Sequence, residues 1–570
     1  MKISKGIKSP YLILICFAIL VMGGSCKKEK EVFEPTLMLG SNELEVSGKG
    51  SEQYLEFLTN SAWSLSTDVS WIDFNESEGE KGKHKIKFEV EENEGDERIG
   101  TITIKADNGM QEEVVVTQSA GITNVFYVTE NGVGDGKSWE ESTDLQSALD
   151  EATSGSTIHI GAGVYSPSKT IRNGDSANDS DNTFEIKSNI TLIGGYPSTP
   201  TEGDVSDPKV HETIFSGKQS NGAESFHVMV ISAPAEEGEK VVVKGITLTE
   251  GHGSDRGTTI TINDIGFRRG NGAGLNIGGS KVELDQVRII DNITSDAQGS
   301  VGQAAGVFIS SNAEVVIRNS QINDNESASN GGGLWIDRSK VFLYDTEING
   351  NSAGTAAGVH AYPEATVYMY NCLVQGNKGR AYGTGVYMRE GSAGVLVNTL
   401  ITDNENTTKN GGGGVMLYQD SKVDIINSTI TNNSIPDGPG GGVYSRAGVN
   451  TVKIVNSIIS GNKQLSSSTD VDAFETTADA PDTKGSVIDN KVYDEGGSEV
   501  SNASFSPTSM LSTDYRLTGS DNPAKEYGMS VTSLTALINQ YSPALEEDYI
   551  AKDLKGKNRE GGKVMGVYIE

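Results

Sequence analysis

Cysteine is scarce in this chain, with three residues among 570. Cys16 and Cys26 both lie near the amino terminus, so Cys372 is the one cysteine in the body of the chain. A disulfide within that body is therefore excluded, and stability has to come from the burial of apolar side chains.

Positive charge is also in short supply, because 46 Lys and Arg face 78 Asp and Glu, for a formal net charge of -32. Binding to phosphate-rich partners needs clustered cations, so nucleic acid is not an expected partner. The acidic residues are not clustered densely enough to predict a calcium site. We therefore expect no metal and no cofactor, with calcium considered only for the lyase alternative below.

No hydrophobic run is long enough to span a bilayer, which takes about 20 apolar residues. The apolar run at 11–22 follows a lysine-rich start and precedes a stretch of small residues, and this order is typical of a secretory signal. The flanking residues are Lys2, Lys5, Lys8, Gly23, Gly24, Ser25 and Cys26.

The small residues that lead into Cys26 resemble a bacterial lipoprotein signal. That resemblance implies that residues 1–26 are the signal, that Cys26 is lipidated, and that the protein is anchored in the outer membrane and exposed at the cell surface. Gly23 departs from the pattern, which usually has an aliphatic residue there, so simple secretion is the alternative. The charged residues 27–36 are expected to be a tether.

Residues 37–120 contain short stretches of alternating apolar and polar residues separated by turn residues, which predicts a small antiparallel β-sandwich. Four motifs in this region resemble the BACON domain, an immunoglobulin-like module of Bacteroidetes glycan-processing lipoproteins. They are Trp63-Ser64-Leu65-Ser66, Ser70-Trp71-Ile72, 97–104 and Val114-Val115-Val116-Thr117-Gln118. The resemblance implies carbohydrate or mucin association, but such modules also serve as spacers, and the spacer role is the preferred interpretation. Trp63 and Trp71 are expected in the core.

Residues 122–464 begin with an amphipathic helix and continue as coils marked by three recurring landmarks. The helix follows the capping sequence Thr143-Asp144-Leu145-Gln146 and is expected to cover the open end of a stack of coils. The first landmark, an asparagine, is Asn292, Asn325, Asn351, Asn377, Asn404, Asn433 and Asn462. The second, six residues earlier, is Asn319, Asp345, Asn371, Asn398, Asn427 and Asn456. The third, a glycine before an aliphatic residue, is Gly274, Gly306, Gly333, Gly358, Gly385, Gly414 and Gly442.

One structural unit per repeat predicts stacked coils, with equivalent asparagines hydrogen-bonded in a ladder at the turns. The landmarks resemble the polymorphic outer membrane protein repeat and pectin-lyase-like β-helices. This resemblance implies an all-β chain with a right-handed parallel β-helix at 122–464, an irregular excursion at 465–512 and a closing coil at 513–570. Members of these families include adhesins, polysaccharide lyases and proteins without known activity, so fold alone assigns no reaction. Cys372 is expected in the core.

Side chains alternate along the strand after each repeat glycine, so Leu334 and Ile336 face inward while Trp335 and Asp337 face outward. Applied to every coil, this register predicts two outward columns rich in aromatic residues and arginine. The first column consists of Asn276, Phe308, Trp335, His360, Tyr387, Met416 and Tyr444. The second column, beside the first, consists of Ser310, Asp337, Tyr362, Arg389, Tyr418 and Arg446. A second outward set, Phe342, Tyr344, Tyr368 and Tyr370, is expected to be buried against a loop or a partner domain.

Sugars stack on aromatic rings while polar groups bind their hydroxyls, so these columns predict a strip that binds a polysaccharide or a glycoprotein glycan. The predicted contacts are Trp335, Asp337, His360, Tyr362, Tyr387, Arg389, Tyr418, Tyr444 and Arg446. The alternative for these rings is a structural role beneath the loops.

Catalysis is not the preferred interpretation, because a hydrolase needs paired carboxylates and the columns offer Asp337 alone. A polysaccharide lyase acting on an acidic glycan is an alternative, with His360 as base, Arg389 as neutraliser and Tyr387 as proton donor. A further alternative is an adhesin or rigid structural protein that binds a protein partner. Under each of these interpretations the protein is expected to be a monomer.

Overall fold

The computed structural model describes residues 35–466, except 49, 94–96, 120–124, 256, 296–301, 409–410 and 438–439, and four short strands beyond them. The chain divides into two compact units, 1–122 and 123–570. The predicted signal with Cys26, most of the tether and the predicted closing coil at 513–570 lie outside the described residues. Within the described residues, no helix is long and apolar enough to cross a membrane.

The first unit is a sandwich of two sheets, of four and five described strands. One sheet has the order Leu37–Leu39, Ser51–Thr59, Gly82–Val90, Ile72–Phe74. The other has the order Glu43–Val46, Gln111–Gln118, Arg98–Ala106, Trp63–Thr67, Glu78–Gly79.

The expectation of a wholly antiparallel sandwich is wrong at one edge, because Glu43–Val46 pairs in parallel with Gln111–Gln118. A parallel edge strand needs a long connection, and most of the domain separates these two strands. Trp63 and Trp71 are buried in the core as predicted. Trp63 Nε1 donates to His84 Nε2 at 3.0 Å, and the Arg98 guanidinium lies 4.5 Å from the Trp71 ring centroid.

The second unit is a right-handed parallel β-helix, in which each regular coil contributes one strand to each of four sheets. Sheet 1, which follows the repeat glycines, comprises Phe184–Ile186, Met229–Ile231, Leu275–Gly278, Val307–Ser310, Leu334–Ile336, Val359–Ala361, Val386–Arg389, Val415–Tyr418, Val443–Ser445 and Glu475–Thr476. Sheet 2 comprises Val125–Val128, Thr157–Gly161, Thr191–Tyr196, Val241–Lys244, Lys281–Asp285, Glu314–Arg318, Lys340–Tyr344, Thr366–Tyr370, Ala393–Val397, Lys422–Ile426, Thr451–Val455 and Asp482–Lys484.

Sheet 3 comprises Gly163–Tyr165, Thr213–Ser216, Ile246–Thr249, Arg288–Ile290, Gln321–Asn323, Glu347–Asn349, Leu373–Gln375, Leu400–Thr402, Thr429–Thr431, Ile458–Ile459, Val487–Ile488 and Lys491–Val492. Sheet 4 comprises Ile293–Thr294, Glu326–Ser327, Ser352–Thr355, Lys378–Ala381, Glu405–Asn406, Ser434–Ile435 and Lys463–Gln464. A hairpin, Thr259–Ile262 with Ile265–Arg268, and a short 3-10 turn, Asp179–Asp181, lie outside these sheets.

The predicted capping helix is Leu145–Glu151. The Asp144 side chain accepts a hydrogen bond from the Ser147 backbone N–H at 3.0 Å, which satisfies a free donor at the helix start. Leu145, Ala148 and Leu149 join the continuous apolar core of the β-helix. The helix therefore buries the apolar end of the first coil, as the sequence predicted.

The asparagine ladder is confirmed as an unbroken chain of buried amides. From Asn292 to Asn462, each Nδ2 donates to the Oδ1 of the next ladder asparagine at 2.8–3.0 Å. The left-handed bend lies one residue before each of these asparagines, for example at Asp324 with φ 56° and Gly350 with φ 65°. The second landmark, such as Asn371 with φ 57°, is itself left-handed.

Four short strands are described within 465–512, the segment that the sequence analysis expected to be an irregular excursion. Asp482–Lys484 pairs in parallel with Thr451–Val455, and Val487–Ile488 pairs in parallel with Ile458–Ile459. Glu475–Thr476 extends sheet 1 in the same way. The β-helix thus continues past residue 464, and the sequence Ile488-Asp489-Asn490 repeats the first landmark although the other two are absent there.

Candidate functional site

The two outward columns of sheet 1 have the predicted register. Trp335 pairs with His360, His360 with Tyr387, and Tyr387 with Met416. Beside them, Arg389 pairs with Tyr418. Equivalent side chains are therefore stacked from coil to coil, roughly 4.8 Å apart.

The expectation that the first column is exposed is wrong. Trp335 is 4% exposed, His360 2% and Tyr387 3%, and Phe308 and Met416 are also buried. Alternation along a strand puts these side chains outside the apolar core, but two neighbouring features cover them. These features are the loop residues Ala304 and Ala356 on one side and the rings of the second column on the other.

The outward residues nevertheless border a cleft of about 420 Å3, which we call the aromatic groove. Its lining residues are Gln303, Asn330, Trp335, Thr355, His360, Tyr362, Tyr382, Tyr387, Arg389, Tyr418 and Arg446. Seven of the nine predicted glycan contacts line it. The other two do not: Asp337 is half-buried and paired with Arg338, and Tyr444 packs against the Tyr387 cluster.

The floor of the groove is a stack of rings. The His360 ring centroid lies 4.5 Å from that of Trp335 and 5.2 Å from that of Tyr387, and the His360 and Tyr387 planes differ by 5°. The Trp335 indole N–H donates to the Tyr362 carbonyl oxygen at 3.0 Å. The floor therefore fixes the position of Tyr362, which stands beside it.

His360 has no hydrogen-bond partner for either ring nitrogen within the described structure. Burial, helped by the nearby positive charge of Arg389, lowers the pKa of His360 to about 3. The imidazole is therefore neutral near pH 7, and it is a very weak base because basicity falls with pKa. Burial also raises the pKa of the Tyr387 hydroxyl, with the charge of Arg389 opposing it. The three residues of the lyase alternative lie together, but the lowered pKa of His360 does not favour its role as the base.

One wall of the groove alternates tyrosine and arginine, in the order Tyr362, Arg389, Tyr418 and Arg446. The Arg389 guanidinium lies 4.5 Å from the Tyr362 ring centroid and 5.7 Å from that of Tyr418. Arg446 lies 5.4 Å from the Tyr418 centroid and 4.7 Å from that of Tyr382. At one end of the groove, Arg446 therefore contacts rings of both walls, that of Tyr418 on its own side and that of Tyr382 on the opposite side.

The opposite wall consists of residues that sequence reasoning missed: Gln303, Asn330, Thr355 and Tyr382. The backbones of Gln303 and Asn330 form a parallel β-bridge, and so do those of Asn330 and Thr355. These three residues therefore form a separate polar column. A signal was present, because each of the four stands three residues before a repeat glycine, Gly306, Gly333, Gly358 or Gly385. Gln303, Asn330 and Tyr382 were missed because they lie outside the named strands, where no alternation assigns a direction. Thr355 was missed because it ends a strand of sheet 4, a sheet that the sequence analysis did not predict.

The second outward set forms stacked pairs on sheet 2. Phe342 stacks on Tyr368 with centroids 4.8 Å apart, and Tyr344 stacks on Tyr370 with centroids 5.1 Å apart. Tyr370 is fully buried, in line with the prediction, whereas the other three rings are half-buried. Within the described residues, no group of three or more His, Cys, Asp or Glu side chains is placed to hold a metal ion.

The chain carries a BACON domain and a right-handed parallel β-helix, and family comparisons agree with both units. Residues 61–119 match the BACON model, named for an N-terminal binding domain, and residues 239–397 and 357–513 match the model of the right-handed beta helix region. No curated protein matches the sequence.

Three solved structures illustrate partial likeness. The pectate lyase Pel9A is 12% identical, with 78% of this chain and 89% of that chain covered and a TM-score of 0.40. The Bacteroides ovatus GH5 xyloglucanase in complex with a XXXG heptasaccharide is 21% identical, with 29% of this chain and 37% of that chain covered and a TM-score of 0.15. The match thus spans little more than a third of the xyloglucanase. WR4, a C. elegans MSP family member, is 14% identical, with 15% and 96% covered and a TM-score of 0.12. With TM-scores this low, none of the three bears on function.

Proposed function

We propose that this protein is a cell-surface lipoprotein, anchored through Cys26, that binds extended glycans in the aromatic groove without transforming them. The observation that carries the proposal is the groove itself, in which partly exposed tyrosines stand between polar side chains along several coils. Its volume of about 420 Å3 falls in the range of roughly 300–1,000 Å3 common for ligand sites.

The rings that we propose to contact sugar differ from those expected from the sequence, because the exposure of each ring is now known. Trp335 and Tyr387 are too deeply buried to offer a ring face, so their role is to support the groove. Tyr362, Tyr382 and Tyr418 are partly exposed and line the opening. They supply apolar ring faces for the C–H faces of sugars, while Gln303, Asn330 and Thr355 supply donors and acceptors for hydroxyls.

The test is a glycan array followed by measurement of Kd for the best ligand with wild type and with the double variant Tyr362→Ala, Tyr418→Ala. Two stacking contacts at about 1 kcal/mol each predict a Kd roughly tenfold to a hundredfold higher. The matched control is Phe342→Ala with Tyr368→Ala, which removes a half-buried stacked pair outside the groove. Equal binding by wild type and the groove variant, or loss only in the control, would contradict the proposal.

A further inference from the structure

Charge is distributed unevenly around the aromatic groove. The chain as a whole carries 32 more formal negative than positive charges, yet the described residues that line the groove include two arginines and no aspartate or glutamate. Two arginines, one of which is paired with a carboxylate outside the lining, leave a net positive charge at this recess and create a local positive potential.

The two arginines differ in how far their charge is already neutralised. Arg389 Nη2 lies 2.7 Å from Glu390 Oε1, and its Nε donates to Gln419 Oε1 at 3.3 Å. No ion pair joins a carboxylate of the described residues to Arg446, whose contacts are the rings of Tyr382 and Tyr418. Arg446 therefore has the more available charge.

The ring contacts also orient the Arg446 guanidinium. Rings that lie over the face of a guanidinium occupy its apolar side, whereas its N–H donors lie in the plane of the group. The neighbouring Tyr382 side chain raises the pKa of Arg446, so the group stays charged. The in-plane donors match the geometry of a carboxylate or a sulfate, which can accept two parallel hydrogen bonds.

The spacing of the cations suits a repeating polymer. Arg389 and Arg446 belong to the same outward column with Tyr418 between them, so they lie two rungs apart, roughly 10 Å along the β-helix. This separation is comparable to a disaccharide repeat.

From these observations, and resting on the glycan-binding function proposed above, we infer that the groove selects anionic glycans and that Arg446 binds the carboxylate or sulfate group of the sugar. Tyr362, Tyr382 and Tyr418 then supply stacking, and Arg389 supplies the second, partly neutralised positive charge. Selectivity arises because the net negative charge of the chain repels polyanions, whereas the arginines of the groove attract them locally.

The experiment measures binding of the full chain to three immobilised polymers: polygalacturonate, dextran sulfate and dextran. Dextran and dextran sulfate share a backbone, so their comparison isolates sulfate, and polygalacturonate represents carboxylate. We expect at least one anionic polymer to bind at least tenfold more tightly than dextran. The polymer that binds identifies which anion is recognised.

Arg446→Gln is expected to lower affinity for that anionic polymer at least tenfold, and Arg446→Lys, which keeps the charge, is expected to lower it less. Arg268→Gln removes the same charge from an exposed hairpin position and is expected to have no effect. Thermal unfolding of each variant establishes that it is folded.

Two failures are distinguishable. If dextran binds as well as the anionic polymers, or if Arg446→Gln and Arg268→Gln behave alike, the anion selectivity is wrong while glycan binding stands. If neither these polymers nor any glycan of the array binds, both proposals are wrong.

Discussion

His360 and Tyr387 lie on neighbouring strands of sheet 1 with ring centroids 5.2 Å apart and planes within 5° of parallel. The neighbouring rings bury the His360 imidazole. Protonation of His360 would therefore place a positive charge in a buried position near Arg389, with no hydrogen-bond partner among the described residues. The pKa of His360 falls to about 3 in the folded chain, against an ordinary value of about 6.5 when unfolded.

This difference predicts acid sensitivity. Because the unfolded chain binds the proton first, the contribution of His360 to stability is fully present above about pH 6.5 and is lost as pH falls toward 3. His360→Phe keeps a ring and removes the titration, so the free energy of unfolding should vary less over that interval, by on the order of a few kcal/mol. Urea midpoints across pH measure this.

His227 is buried too, with its pKa lowered to about 4 by burial, so some acid sensitivity should remain in His360→Phe. The same substitution at the less buried His211 serves as the control. Identical pH profiles for wild type and His360→Phe would show that His360 is not the responsible group.

Removal of one asparagine from the ladder should lower the free energy of unfolding substantially. The Asn377 amide donates to the Ile348 carbonyl and to Asn404 Oδ1, and its Oδ1 accepts from the Asn351 backbone and side chain. Asn377→Ala leaves these buried partners unsatisfied and should lower the free energy of unfolding by about 3–5 kcal/mol. Denaturant titration followed by circular dichroism measures the loss. The exposed Asn221→Ala should stay within about 0.5 kcal/mol of wild type, and equal effects would contradict a structural ladder.

Alanine substitutions at two glycines can distinguish the effect of backbone strain from the effect of a distorted groove. Gly383 and Gly391 both have left-handed φ values, 58° and 74°. A Cβ at Gly383 would lie 2.5 Å from the Tyr387 Cβ, whereas a Cβ at Gly391 would meet only Glu364 Cγ, at 3.8 Å.

Both alanine variants should therefore lose about 1 kcal/mol of stability from the backbone. Only Gly383→Ala should also displace Tyr387 and weaken glycan binding. Kd and unfolding midpoints measured on both variants test this. Matched losses of binding in the two variants would argue against a role for the groove floor.

Cys372 should be chemically inert in the folded protein. Its side chain is fully buried, with Sγ 3.4 Å from the Tyr370 carbonyl oxygen, and burial raises its pKa to about 12. The thiolate is the reactive form, so alkylation should be negligible until the chain unfolds. Mass spectrometry of the Cys372 peptide after iodoacetamide treatment, with and without denaturant, measures the protection. Rapid labelling in native buffer would contradict the buried position.

The architecture of the β-helix could be predicted from the sequence because each coil repeats the same pattern of inward aliphatic residues and corner asparagines. Asn351 and Asn377 could be matched before their amides were seen to bond, and the Leu334 and Ile336 pattern assigned the inward face correctly. The capping helix at Leu145–Glu151 followed from the capping sequence Thr143-Asp144-Leu145-Gln146 and the apolar spacing after it, although the residue that caps it is Asp144. The continuation into Asp482–Lys484 was missed because two of the three landmarks are absent from its coil, although Ile488-Asp489-Asn490 repeats the first landmark 28 residues after Asn462.

The groove could be predicted only in part. Register placed Trp335, His360 and Tyr387 in one column and Arg389 with Tyr418 in the next, and the structure agrees. The exposure of the first column was predicted wrongly, and the polar wall of Gln303, Asn330 and Thr355 was not predicted at all.

The amino-acid sequence by itself determined which side chains stack with which, because period-two alternation and a repeating coil fix both face and register. The tertiary structure alone decided which of those side chains reach solvent. Exposure depends on what the neighbouring loops and adjacent columns cover, as Ala356 and Tyr418 cover Tyr387, and no local pattern in a strand carries that information.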